Sequence, residues 1–200
     1  GTAESVAPWR ALLSDAALRR LCTHRFLVSF GVSTAWAFVP LYAVSVLGLS
    51  TYDAGIAVGA ITLLTAILIS PGGWVGDRAD RWLLILAGTL ILSLCLGTVS
   101  WSTGFWALAA VCGAMGLAQA CYMPAAYALM VGVGRELGMG ATLGVYSTSL
   151  TLGLAVGPLV SGTLVDGFGL RATFLGTGAL GLLAAWTILK RVNFRKVKAG

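Results

Sequence analysis

The chain has 200 residues, of which 58% are hydrophobic and only 10% charged, with a net charge of +6. Soluble domains carry about 45–50% apolar and about 25% charged residues, so this chain cannot cover a water-facing surface and its main solvent is lipid. The positive balance does not indicate nucleic acid, because the charges sit in short clusters between apolar stretches, where basic residues set membrane orientation.

Residues 8–25 read as a helix lying on the membrane surface, with Trp9, Leu12, Leu13, Leu18 and Leu21 on one side and Arg10, Arg19, Arg20 and Arg25 able to meet lipid headgroups. Six apolar spans follow, at about 26–49, 54–76, 82–101, 104–132, 140–165 and 172–189, each near the ~20 residues that a crossing needs. The stretch from Trp82 to Gly134 holds no charge. At about 1.5 Å per helical residue it would reach roughly 80 Å, enough for two crossings. Turn chemistry marks the joints at Gly48-Leu49-Ser50-Thr51, Ser102-Thr103-Gly104 and Gly167-Phe168-Gly169. The chain thus divides into a juxtamembrane segment 1–25, a six-helix domain 26–189 and a basic tail 190–200.

If the N-terminus is cytoplasmic, every basic residue except Arg171 falls on the inner side, which predicts a multi-pass cell-membrane protein with both ends inside. Trp74, Trp82 and Trp186 then lie near the inner interface, and Trp101 and Trp106 near the outer one. Cys22, Cys95, Cys112 and Cys121 show neither paired nor metal-ligand spacing and read as free thiols, so no metal or cofactor is expected. The first residues, Gly-Thr-Ala-Glu, have no Met and no cleavable signal pattern, as expected of a trimmed sequence or a fragment.

A weak internal repeat is visible. Gly73 and Asp77 close span two, Gly162 and Asp166 close span five, and both pairs are 89 positions apart. Pro40 in span one and Pro124 in span four form a second, approximate correspondence. Three spans repeated once must insert in opposite orientations, which predicts an all-α fold of two inverted three-helix repeats with a site near their interface.

Two motifs point further. Gly73-Trp-Val-Gly-Asp77-Arg78-Ala-Asp80-Arg81, at the turn between spans two and three, resembles the cytoplasmic loop signature of the major facilitator superfamily. Asp77 sits where it can accept from helix N-terminal amides, and the resemblance implies that Asp77, Arg78 and Arg81 form a cytoplasmic gate latch. Asp80 stands where that family usually has Gly. In span five, Gly144, Gly153, Gly157, Pro158, Ser161 and Gly162 resemble the pattern of proton-coupled drug antiporters of the same superfamily, with Ser161 replacing a frequent Gly. Glycines at this spacing leave a packing groove and the proline kinks the helix, and the resemblance implies a bending element.

Aligning span four on Gly116 places Cys112 where exporters of this type often carry an Arg. The spans as drawn hold no ionisable group deep in the hydrocarbon, which argues against a proton relay within these six helices. Trp36, Phe38, Pro40 and Tyr42 in span one and Tyr122, Pro124 and Tyr127 in span four gather near the two prolines as a candidate substrate path. Such an uncharged aromatic lining suits a small lipophilic molecule. The expectation is one half of a secondary active transporter exporting such compounds by alternating access. Its partners would be the bilayer, a small-molecule substrate, possible protons, and a second six-helix half, from the same chain, a homodimer or a separate subunit. A same-fold uniporter or importer, and a non-transporting scaffold or receptor, are the rival readings. Gly176-Thr-Gly-Ala-Leu-Gly181 spells a dinucleotide-binding string, but inside an apolar helix with no preceding strand it reads as close packing. His24 has no nucleophile or metal-ligand set around it, which argues against a hydrolase.

Overall fold

The computed structural model describes residues 12 and 14–189, with Asp77 by its backbone alone. Every regular element among them is helical. Helix α1 spans Ala16–Ser45, α2 Thr51–Arg78, α3 Arg81–Thr98 with a 3-10 turn over Val99–Trp101, and α4 Phe105–Leu137. The last segment, Met139–Leu189, contains one residue outside helical geometry, Gly169 at φ 82°, ψ 166°. Its 51 residues would reach about 76 Å unbroken, more than twice a ~30 Å core. Gly169 divides it into α5 (residues 139–168) and α6 (residues 170–189).

Local chemistry sets these ends. Asp15 caps α1 by accepting from the Leu18 amide at 2.7 Å. Ser50 and Asp53 form a reciprocal capping box at the start of α2, which satisfies two otherwise orphaned donors. Gly48 at φ 66° turns the chain between α1 and α2, and Gly138 at φ 94° ends α4, a region of backbone space that side-chain-bearing residues rarely adopt. Most helices run a few residues beyond the predicted apolar spans, because helical hydrogen bonding continues past the hydrocarbon edge.

One difference is larger. The surface helix expected over 8–25 is not separate from the first crossing where it is described, since α1 continues without a break through Arg25. Leu18, Leu21, Arg25, Val28 and Val32 form one buried stripe on α1, at the three- and four-residue spacing of a single helix face. Arg25 therefore enters the bundle instead of meeting headgroups, and His24 beside it is also buried. Trp9, Arg10, Leu13 and the basic tail 190–200 lie outside the described residues.

The helices pack as the inverted repeat requires. Helix α1 crosses α5, where a methyl group on Gly153 would stand 2.5 Å from the Phe26 carbonyl oxygen and one on Gly157 2.7 Å from that of Phe30. Helix α2 crosses α4, where a methyl on Gly116 would stand 2.6 Å from the Ile61 carbonyl oxygen, and Thr65 donates to the Gly116 carbonyl at 3.1 Å. Exchanging the two repeats turns one crossing into the other. The third pair, α3 with α6, maps onto itself and closes on Gly178 and Gly181 against Ser93 and Gly97. Small residues that let backbones approach are how helices associate where lipid removes the hydrophobic drive. The outward faces carry exposed Leu63, Ile67, Leu83, Leu94 and Leu159, as a lipid-facing surface must.

Candidate functional site

Three groups of residues are candidates for a functional role. At the α2–α3 turn, only Ala79 and Asp80 separate the two helices. Asp80, the departure from the family signature, is the N-cap of α3 and accepts from the Trp82 amide at 2.9 Å. It takes the place at the helix N-terminus that the sequence suggested for Asp77, which lies within the last turn of α2. The Arg78 guanidinium stacks over the Trp74 ring at 3.8 Å, Arg81 begins α3, and Gly73 faces Pro124 of α4.

The glycine motif of α5 is a packing face whose members are unequal. Gly153, Gly157 and Ser161 are buried against α1, and Ser33 donates to the Gly153 carbonyl at 3.3 Å. Ser161, standing where the pattern often has Gly, is hydrogen-bonded to Thr34 at 2.7 Å. Gly144 faces open space, Gly162 faces the Phe38 ring, and Pro158 is half-buried within the helix.

Between α1, α4 and α5 lies a cavity of about 240 Å³. Its walls come from single helix faces: Arg25, Ser29, Val32 and Trp36 on α1, Gln119, Tyr122, Met123 and Tyr127 on α4, and Leu150 and Leu154 on α5. On α1 it extends from Arg25 to Trp36, eleven helical steps or about 16 Å. Trp36, Tyr122 and Tyr127 of the expected substrate path are brought together here. Phe38, Pro40, Tyr42 and Pro124 are not in its walls. Tyr42 is fully buried elsewhere, donating to the Ser100 carbonyl at 3.1 Å and meeting Phe174 edge-on at 5.8 Å, so it ties α1 to the turn after α3.

The polar members of the site escaped the sequence reading. Arg25 is 4% exposed. Its Nη1 donates to the Tyr122 hydroxyl at 3.4 Å, and its guanidinium lies 5.7 and 5.4 Å from the ring centres of Tyr127 and Tyr146. Its Nε has no partner, nor has the buried hydroxyl of Ser29 one turn further along. His24 meets the Tyr122 ring edge-on at 6.4 Å and holds its Nε2 2.8 Å from Thr89 Oγ1. Because that hydroxyl already donates to the Ile85 carbonyl, the imidazole Nε2–H must be the donor. The signal available was spacing: positions 25, 29 and 32 share a helix face with Trp36, already singled out.

Two inverted three-helix repeats, with prolines inside their helices and a cavity where the repeats meet, are the architecture of a secondary-transporter domain. The family model of the Major Facilitator Superfamily matches residues 5–199, and the chain belongs to that superfamily. It is 30% identical over 160 residues to the multidrug resistance protein MdtG of Proteus mirabilis, an alignment covering 78% of this chain and 39% of that protein. It is 26% identical to the multi-drug resistance efflux pump PmrA homolog of Lactococcus lactis, across 88% of this chain and 44% of the relative. The chain thus spans about two fifths of the length of these relatives. Among solved structures it is similar to a bacterial homolog of the human lysosomal transporter Spinster, inward-facing and occupied, with TM-score 0.72 and 18% identity over 92% of this chain and 45% of the other. Tetrameric PepTSo2 is similar with TM-score 0.74 and 18% identity, over 86% of this chain and 40% of that one. At that identity these two structures support the fold alone.

Proposed function

We propose that the chain is one six-helix half of a secondary active transporter that exports small lipophilic compounds by alternating access. Both termini face the cytoplasm in this reading, which the distribution of basic residues supports. A second six-helix half completes the path, and protons are the candidate driving ion. The observation that carries the proposal is the cavity at the meeting of the two repeats, where Trp36, Tyr122 and Tyr127 offer aromatic surface to a ligand. The names of the relatives, a multidrug resistance protein and an efflux pump homolog, support export over uptake.

Within this reading Asp77, Arg78 and Arg81 latch the cytoplasmic gate, and the glycine motif of α5 is a bending and packing element that shapes the route between conformations. The test is flux in inside-out vesicles from cells expressing the complete open reading frame. Accumulation of a lipophilic dye that stops when the proton gradient collapses is expected, together with a large loss of rate for Asp77→Asn. Uptake indifferent to the gradient would identify a uniporter or importer, and absence of flux a scaffold. Unchanged flux in the Asp77 variant would sink the latch.

A further inference from the structure

The aromatic cavity contains a charge that a purely lipophilic ligand would leave unanswered. Arg25 is nearly fully buried, and its recorded partners are the hydroxyl of Tyr122 and the rings of Tyr127 and Tyr146, with no carboxylate among them. Rings attract a guanidinium through its flat face. They cannot satisfy the N–H bonds in its plane, of which Arg has five in a fixed fork. The one hydrogen bond recorded, 3.4 Å to Tyr122, is long against the usual 2.7–3.2 Å. Nε makes none.

Two further polar groups line the same cavity. The Ser29 hydroxyl is buried without a partner, and Gln119, 7% exposed, lines the cavity from α4. Buried polar groups are normally paired, and a buried charge all the more so. Two orphaned donors beside one void, Arg25 Nε and the Ser29 hydroxyl, indicate a missing acceptor. A carboxylate matches in charge, and its two oxygens fit the guanidinium edge. Trp36 and Leu154 extend the cavity with surface for an apolar body.

We infer that this cavity seats an oxyanion, the carboxylate of an amphiphilic organic molecule, on the free edge of Arg25, with Ser29 and Gln119 as supporting donors. The inference rests on reading the cavity as the substrate path and narrows the substrate from any lipophile to an organic anion. Arg25 is the specificity-determining residue, and the three tyrosines fix the plane of its guanidinium.

The experiment is equilibrium dialysis of the full-length protein in neutral detergent with radiolabelled 1-naphthoate and with 1-naphthamide, which has the same shape and no charge. Naphthoate is expected to bind about tenfold or more tighter than the amide. Arg25→Gln should erase that preference by weakening naphthoate alone, while Arg25→Lys should keep part of it. Because a buried substitution can disturb folding, amide binding serves as the internal control for the Gln variant, and Ser29→Ala, which keeps the charge, should lower the preference severalfold. Equal binding of acid and amide, or a preference that survives Arg25→Gln, overturns the inference. If neither probe binds, the substrate-path reading falls with it. An anionic lipid headgroup has similar chemistry, so phosphatidylglycerol is added to the micelles. Naphthoate binding should be unaffected, whereas competition that requires Arg25 would assign the site to lipid and overturn the substrate claim.

Discussion

Ser161 on α5 and Thr34 on α1 are joined by a hydrogen bond of 2.7 Å that spans the crossing between the two repeats. Its direction follows from the neighbouring bond. Thr34 already donates its hydroxyl proton to the Phe30 carbonyl at 2.9 Å, so Ser161 must be the donor. The residue that departs from the glycine motif thus replaces bare backbone packing with a polar tie. Ser161→Ala removes the tie but leaves Thr34 satisfied by Phe30, so the loss should be modest, about 0.5–1 kcal/mol. Unfolding in a sodium dodecyl sulfate titration should show a small shift of the midpoint. Ser161→Leu, which must push α1 away, should give a far larger one.

The same motif gives a sharper comparison. Gly153 lies so close to α1 that a methyl group would stand 2.5 Å from the Phe26 carbonyl oxygen, whereas one on Gly144 would meet nothing within 4 Å. Overpacking of this kind costs about 1–3 kcal/mol. Gly153→Ala should therefore lower the detergent melting temperature clearly, while Gly144→Ala should leave it unchanged or raise it slightly, since Ala is the better helix former. Equal effects at the two positions would mean that α1 and α5 are not in this contact.

How much of this was legible beforehand differs by residue. The turn at Gly167-Phe168-Gly169 and the six apolar runs were visible because Gly and long apolar stretches act locally. The membership of Trp36, Tyr122 and Tyr127 in one cavity followed from the proline correspondence between spans. Tyr42 was misplaced because an aromatic residue near a proline looks the same whether it lines a void or donates to the Ser100 carbonyl. Arg25 was missed for a physical reason: a charge at the edge of an apolar run is normally headgroup-facing. Only the tyrosines on α4 and α5, about a hundred positions later, make a buried site for it.

Asp80 gives a prediction that separates structure from gating. Its carboxylate caps α3 through the Trp82 amide and places a negative charge at the positive end of the helix dipole. Asp80→Ala should cost about 0.5–2 kcal/mol, Asp80→Asn little, and Asp80→Gly, which restores the common family residue, a few tenths. Thermal unfolding in detergent checks the order. If Asp80→Gly retains stability but alters vesicle flux, the carboxylate acts on the gate as well as on the helix end.

The break between α5 and α6 depends on a single backbone conformation. Gly169 adopts φ 82°, ψ 166°, a region essentially restricted to glycine, where any other residue costs about 1–3 kcal/mol. Space is not the issue, because a methyl group on Gly169 would meet nothing within 4 Å. Gly167, two positions earlier, is equally open but does not have a positive φ. Gly169→Ala should therefore lower the unfolding midpoint by an amount that Gly167→Ala does not, although both mutations add the same methyl to the same turn. Thr173 donates to the Gly169 carbonyl at 3.0 Å, a bond that a continuous helix also holds, so the one relief open to Gly169→Ala is to continue the helix through position 169. A variant that relaxed this way would straighten residues 139–189 into one rod and displace α6 from Ser93.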